Sequence, residues 1–399
     1  MRNLIIGQSG GPTSVINGSL YGVVKEAIKS GKFDNILGAI YGINGIIKEN
    51  FIDFINDNVN LELLKATPAA YLGSVRFKLN DDFSDPSYEK ILNIFKKYRI
   101  TDFYYIGGND SMDTCLKLDK YFKSINYPVS VIGIPKTIDN DLACTDHSPG
   151  YASAAKFIIN SIINIYQDIN VYEKGRVTIV EIMGRDAGWL TAAVKLAETV
   201  NCKADLIYLP ETPFDQDKFI SDVKRIYARK RKVLVCVSEG IKNEMGDYVL
   251  SIRKFNANDK FGHLQLGGVA QVLAELIGTE LQLPVRAIEL NLLQRCFFGS
   301  ASQTDLNEAI MCGKYAVRYA LKNKSGVMIT MNRVKGDNYK IKYSTTKLSD
   351  VAGIVRYFPK EWIKDDNQIQ NEFINYLRPM IKGNVKINEQ NDLPLYIKR

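Results

Sequence analysis

Phe103-Tyr-Tyr-Ile-Gly-Gly-Asn-Asp-Ser111 is a short apolar run that stops in two glycines and an acidic, small-residue turn. Pro135-Lys-Thr-Ile-Asp-Asn-Asp141 repeats the arrangement after the run Val129–Ile134. Apolar runs this short, bounded by turn residues, read as strands covered on both faces, as in parallel sheets. Outward from these two, Leu4–Gly7 runs into Gln-Ser-Gly-Gly-Pro-Thr-Ser14, Val177–Met183 into Gly-Arg-Asp186, and Val233–Val237 into Ser-Glu-Gly240. Ile36–Ile40 and Leu206–Leu209 add two further strand-like runs, and the helical patterns Ser19–Ser30, Tyr88–Tyr98, Ser153–Tyr166 and Trp189–Val200 lie between them. The alternation predicts an α/β chain of doubly wound, mostly parallel sheets. Ligands of such sheets bind at the carboxyl ends of strands. Five consecutive ends loaded with Gly, Asp, Arg and Glu therefore point to one convergent site.

Composition narrows the class. With 399 residues the chain is long enough for two domains of ordinary size, and 46% hydrophobic and 24% charged residues are typical of a soluble protein. No apolar run reaches the length of a membrane span, and the first residues enter a strand at once, so neither a signal peptide nor a transit peptide is expected and the cytoplasm is the expected location. The six cysteines are scattered without a Cys-x-x-Cys pair and read as reduced packing residues. Two histidines, His147 and His263, argue against a zinc site. The net charge of +8 includes Arg229-Lys-Arg-Lys232, which reads as a solvated helix end and not as a nucleic-acid patch, because no aromatic residues interleave it. Anionic small molecules suit the remaining charge.

The loops carry the chemistry. Ser9-Gly10-Gly11 before a helical pattern looks like a phosphate cradle, although it is neither a Walker loop nor a dinucleotide fingerprint. Gly73-Ser-Val-Arg76 adds a guanidinium after another glycine. In Thr137-Ile-Asp-Asn-Asp141, one carboxylate can accept the proton of an attacking hydroxyl while the other positions groups or assists a bound Mg²⁺. An Asx-rich turn is the alternative reading of the same residues. Arg185, at a strand end in Met183-Gly-Arg-Asp-Ala-Gly-Trp189, can neutralise charge developing in phosphoryl transfer, and Arg176, Arg286 and Arg295 are candidates for a sugar phosphate.

Taken together, the motifs resemble the phosphofructokinase family over roughly the first 315 residues. The carriers are Ser9-Gly-Gly11, Gly73-Ser-x-Arg76, Gly107-Gly-Asn-Asp-Ser111, Pro135-x-Thr-Ile-Asp-Asn-Asp141, Met183-Gly-Arg185, Ser238-Glu-Gly240, and Arg286 followed by Gln294-Arg295. The resemblance implies phosphoryl transfer to the 1-hydroxyl of fructose 6-phosphate, a step of glycolysis or gluconeogenesis, in a cleft between two α/β domains. It implies Asp139 as general base, with Thr137 and Asp141 lining the site and Arg185 stabilising the transition state. Met183, Gly184 and Glu239 would hold the sugar. Arg176 and Arg286 resemble family arginines that reach the sugar phosphate across a subunit interface, which implies a homodimer or homotetramer.

Two residues speak to the donor. ATP-using members have Gly-Gly-Asp-Gly-Ser and Pro-Gly-Thr-Ile-Asp-Asn-Asp, whereas this chain has Asp110 and Lys136 at the variable glycines. Both changes, with Pro12, resemble the pyrophosphate-dependent branch. A carboxylate at 110 repels the α-phosphate of ATP, and an ammonium at 136 can pair with pyrophosphate. Gly11, Arg76, Gly108 and Ser111 would complete the pyrophosphate site. The resemblance also implies Mg²⁺, with Asn109 and Asp110 as the nearest donors, although Asn109 stands where ATP-using members carry an acid. Asn291-Leu292 replaces a ring-bearing pair that touches the sugar phosphate in relatives, and Arg295 and Lys314 are the candidates to compensate. The expected domains are 1–145 plus about 295–345 for the donor and 146–294 plus about 346–399 for the sugar phosphate. Alternative readings are an ATP-dependent enzyme, sedoheptulose 7-phosphate as acceptor, and a non-catalytic sugar-phosphate sensor.

Overall fold

Asn3-Leu-Ile-Ile-Gly-Gln8, buried at every position, is the strand around which the first sheet is built. In chain order the strands of the two larger sheets are β1 (Asn3–Gln8), β2 (Asn35–Ala39), β3 (Phe51–Asp53), β4 (Asp102–Gly107), β5 (Ser130–Pro135), β6 (Arg176–Ile182), β7 (Leu206–Tyr208), β8 (Lys232–Ser238), β9 (Val285–Glu289), β10 (Val327–Arg333) and β11 (Ile341–Lys347). The computed structural model describes residues 2–252, 268–336 and 338–399, so His263 lies outside the described residues. The chain divides into two units, the first made of Met1–Ser153, Arg295–Val355 and Lys382–Arg399, the second of Ala154–Gln294 and Arg356–Ile381.

The first unit holds a seven-stranded sheet in the order β11-β10-β5-β4-β1-β2-β3. Its inner strands pair in parallel, and β3 and β11 close the two edges antiparallel. The chain moves from β1 outward to β2 and then returns to the other side of β1 for β4. Strand order therefore reverses between β1 and β4, and their carboxyl ends flank a crevice. The helix Ile16–Ser30, which follows the loop after β1, packs against the helix Gln303–Ala320 at very short range: a Cβ at Gly22 would lie 2.1 Å from the Ile310 carbonyl, and one at Gly313 would lie 2.1 Å from that of Ser19. Only glycine permits that approach.

The second unit holds a four-stranded parallel sheet in the order β7-β8-β6-β9. Here the order reverses between β6 and β9.

Several expectations change. Trp189–Val200 is not one α-helix: Trp189–Ala192 is α-helical and Ala193–Val200 is 3₁₀. Every residue from Trp189 to Ala197 is buried, so packing sets the winding of this segment more than its helical pattern does. The domain limits also move. Residues 346–355 stay with the first unit because Lys347 pairs with Val327 and Leu348 is fully buried in that unit's core. The tail from Lys382 onward also belongs to the first unit, where Val385 N–H donates to the Ala301 carbonyl and Ile397 N–H to Thr67 Oγ1.

Candidate active site

Three loops meet at the strand ends of the first unit. Ser9 N–H donates to the Ile106 carbonyl (2.9 Å) and Lys136 N–H to the Gly107 carbonyl (3.0 Å), which ties the loops after β1, β4 and β5 together. Ser74 Oγ donates to the Gly10 carbonyl and Ser9 Oγ to that of Val75, so the segment that ends in the exposed Arg76 is fastened to the glycine loop.

Lys136 is the centre of this arrangement. Its side chain is 2% exposed and its Nζ donates to the Gly11 carbonyl at 2.8 Å. Burial pushes the ammonium down to about pKa 8, Arg295 pushes the same way, and Asp139, Asp141 and Asp110 oppose both. One buried ammonium thus feels the charge of three of the predicted carboxylates and one of the predicted arginines. Arg295 falls in the first unit, one residue past the boundary at Gln294.

The loop after β5 is fixed from behind. Thr137 N–H donates to the Pro149 carbonyl (3.2 Å), and Thr137 Oγ1 accepts from Asp139 N–H (3.1 Å). Asn140 has φ 56°, a left-handed conformation that Asn tolerates, and its buried Oδ1 accepts Ser148 N–H at 3.1 Å. The Asn is turned inward while Asp139 and Asp141 remain half-buried at the surface. That anchoring role of Asn140 was not read from the sequence; an Asn between two Asp residues was the available signal.

After β4, Gly108 precedes the helix Asn109–Ser124, with Asp110 exposed in its first turn and Ser111 buried. Asn109 corrects an expectation. Its Nδ2 donates to the Ile354 carbonyl (2.8 Å) and its Oδ1 accepts Gly353 N–H (2.7 Å), so both ends of the amide hold a neighbouring turn. Its chemistry here is structural, and Asp110 is the better oxygen donor of the pair.

In the second unit, the turns after β6 and β8 are bound to each other. Gly184 N–H donates to Glu239 Oε1 (3.3 Å), Ser238 Oγ donates to the Gly184 carbonyl, and Glu239 N–H donates to the Ile182 carbonyl (2.9 Å). A Cβ at Gly240 would lie 1.8 Å from the Arg185 carbonyl, so glycine there is what lets the Arg185 backbone lie against this loop. Met183, Arg185 and Glu239 are half-buried on these turns, and Met183 N–H donates to Gln294 Oε1 at 3.1 Å. Arg176 does not join them, because it starts β6 while Met183 follows its end. Arg286 pairs with Thr178 near that same start and lies 3.6 Å from Asp168. Both arginines instead line a groove of about 530 Å³ with Asp168, Tyr172 and Ile288.

Comparisons with known proteins show the family. The family described as phosphofructokinase matches residues 3–320. The chain belongs to the phosphofructokinase family. It is 38% identical over 386 residues to a pyrophosphate–fructose 6-phosphate 1-phosphotransferase of Rhodospirillum rubrum, covering 95% of this chain and 94% of that protein. A protein of the same name from Xanthomonas campestris is 38% identical over 402 residues, covering 99% and 95%. The crystal structure of a pyrophosphate-dependent phosphofructokinase from Nitrosospira multiformis superposes with a TM-score of 0.89 at 33% identity, covering 100% of this chain and 96% of that one. Against this phosphofructokinase framework, no helix among the described residues is long and apolar enough to cross a membrane.

Proposed function

We propose that the chain transfers a phosphoryl group from pyrophosphate to the 1-hydroxyl of fructose 6-phosphate, giving fructose 1,6-bisphosphate and phosphate, reversibly and in the cytoplasm. The carrying observation is Lys136, a buried ammonium among carboxylates, at a position where ATP-using relatives have glycine. The relatives' names support the same donor and acceptor.

Asp139 accepts the proton of the 1-hydroxyl as its oxygen attacks the terminal phosphorus of pyrophosphate. The bridging P–O bond breaks and its electrons leave with phosphate. Lys136, Arg76 and the backbone around Gly11, Gly108 and Ser111 bind the donor, and Asp110 excludes the longer nucleotide. Arg185 offsets charge developing on the transferred group, with Thr137 and Asp141 ordering the loop around it. Met183, Gly184, Glu239 and Arg295 serve the substrates' oxygens. The carboxylates around Lys136 are hard oxygen donors and fit Mg²⁺, with Asp110 and Asp141 as the residues that would hold it. An ion that arrives on pyrophosphate keeps much of its water and needs only one or two protein carboxylates. When bound, Mg²⁺ supplies neutralisation of the donor's negative charge.

The groove lined by Arg176 and Arg286 lies beside β9, an edge strand, and suits a second copy of the chain in a homodimer or homotetramer. Native mass measurement reads that state directly. The functional reading is tested by a coupled assay with pyrophosphate or ATP as donor: turnover with pyrophosphate is expected, and turnover with ATP alone overturns it.

A further inference from the structure

The loop that carries Asp139 and Asp141 leans on residues 147–150, and these in turn hang from an ionic cluster outside the loop. His147 is fully buried. Its Nδ1 lies 2.8 Å from Asp146 Oδ2 and its Nε2 lies 2.7 Å from Glu308 Oε2. A ring flanked by a carboxylate at each nitrogen can donate to both only when both nitrogens carry protons. The surroundings extend the cluster: Arg333 on β10 lies 3.1 Å from Asp146 Oδ2, and Tyr339 Oη donates to Glu308 Oε1 at 2.6 Å and lies 3.4 Å from His147 Nε2. Next to it, Asp305, one turn before Glu308 on the helix Gln303–Ala320, accepts from Gly150 N–H (3.0 Å), Ser153 N–H (2.9 Å) and Ser153 Oγ.

The connection to the reacting loop is short. Ser148, adjacent to His147, gives its N–H to Asn140, which stands between Asp139 and Asp141. Pro149 accepts from Thr137 N–H, and Gly150 is bridged to Thr137. The turn 145–150 is therefore the seat of the phosphoryl-transfer loop, and His147 is its fastening to the helix Gln303–Ala320.

We propose that His147 is a positioning residue for phosphoryl transfer: clamped between Asp146 and Glu308, it holds the seat on which Thr137, Asp139 and Asp141 are aligned, and loss of its charge sets an alkaline limit to turnover. This rests on the function proposed above. Burial alone would push the ring down, but Glu308 and Asp146 outweigh it and raise it to about pKa 9. Burial pushes Asp146 up as well, yet His147 and Arg333 hold it below the usual carboxylate range. The folded pKa is above the ordinary value of 6.5, so the stabilisation is complete below about pH 6.5, declines above it and is gone once pH passes about 9. Above that point one ring nitrogen presents a lone pair to a carboxylate, and the clamp opens.

The chain has two histidines, so ring NMR of the whole enzyme, with His263→Gln for assignment, can follow His147 directly. The ring is expected to titrate near pH 9, together with a fall in kcat for the pyrophosphate reaction. Glu308→Gln keeps the shape but removes one charge, and is expected to move ring titration and kcat limb together by about one pH unit or more toward lower pH. His147→Gln is expected to lower kcat about 10- to 100-fold at pH 7.5, with both KM values within about threefold, because misalignment costs turnover more than binding. Lys136 gives up its proton near pH 8 in the free enzyme, a limb expected in kcat/KM and in both variants, so the His147 limb is read in kcat at saturating pyrophosphate, whose charge keeps that ammonium protonated. A ring that stays neutral from pH 6 to 10, or a kcat limb that Glu308→Gln leaves in place, overturns the role of His147. Absence of any pyrophosphate turnover in the wild type overturns the functional reading instead. If His147→Gln does not fold, the wild-type titration and Glu308→Gln still decide.

Discussion

Lys136 keeps an ammonium out of water beside Gly11 while three carboxylates offset its burial. Its folded pKa of about 8 lies below the ordinary 10.5, so the folded chain gives up this proton as pH rises through 8 while the unfolded chain keeps it. The buried charge therefore opposes folding at neutral pH, and that cost is relieved in alkali. Lys136→Met is expected to keep or raise Tm while lowering kcat/KM for pyrophosphate about 100- to 1000-fold. A clear loss of Tm with turnover intact, by thermal melt and steady-state assay, contradicts the assigned role. Asp139→Asn is expected to lower kcat about 100- to 10,000-fold in the same assay, the range for loss of a general base. The loop that carries both residues was legible in the sequence because it follows a buried apolar strand. The task of Asn109 was not, since its partners, Gly353 and Ile354, lie in a distant segment that no local pattern connects to it. Arg295 was read as a candidate cation for the sugar phosphate, but which unit holds it depends on tertiary placement.

At the scale of elements, the loop after β5 and the helix Gln303–Ala320 behave as one assembly. Asp305 satisfies three donors around Gly150 and Ser153, although burial pushes its carboxyl up to about pKa 6. Asp305→Asn replaces one acceptor oxygen by a donor facing donors, and is expected to cost about 1–3 kcal/mol in denaturant unfolding. A neutral effect would mean that water readily takes over these bonds. The inner strands β1, β4, β5, β6 and β8 were legible because they are nearly continuous apolar runs buried on both faces. The edge strands were harder. In β9, Arg286 and Glu289 stay exposed, and β11 is a half-buried edge whose lysines at positions 342 and 347 are exposed, so both look like surface chain. The missed β10 is apolar and buried over most of its length, but it ends in Asn332-Arg333 without a glycine-rich acidic loop.

For the whole chain, the two units are interleaved in sequence, and the last crossing was the least legible. The tail returns to the first unit through backbone bonds at Val385 and Ile397 and through Val385, Ile387 and Tyr396 packed on Phe298 and Ala301. Truncation after Ile381 removes that cover and is expected to lower Tm by about 5 °C or more in a thermal scan, given about 2–4 °C per kcal/mol in domains of this size. An unchanged Tm would make the tail dispensable. At the same scale lies the choice of phosphoryl donor, because it distinguishes this chain's chemistry from that of ATP-using relatives with the same fold. The most direct test is steady-state kcat/KM with the Mg²⁺ complexes of pyrophosphate and ATP, for the wild type and for Asp110→Gly with Lys136→Gly. The expected result is a wild type that strongly prefers pyrophosphate and a double variant that loses about 100-fold or more with pyrophosphate and gains measurable ATP turnover. A wild type that uses ATP at least as well, or a double variant that still uses pyrophosphate alone, contradicts the assignment of donor choice to these two residues.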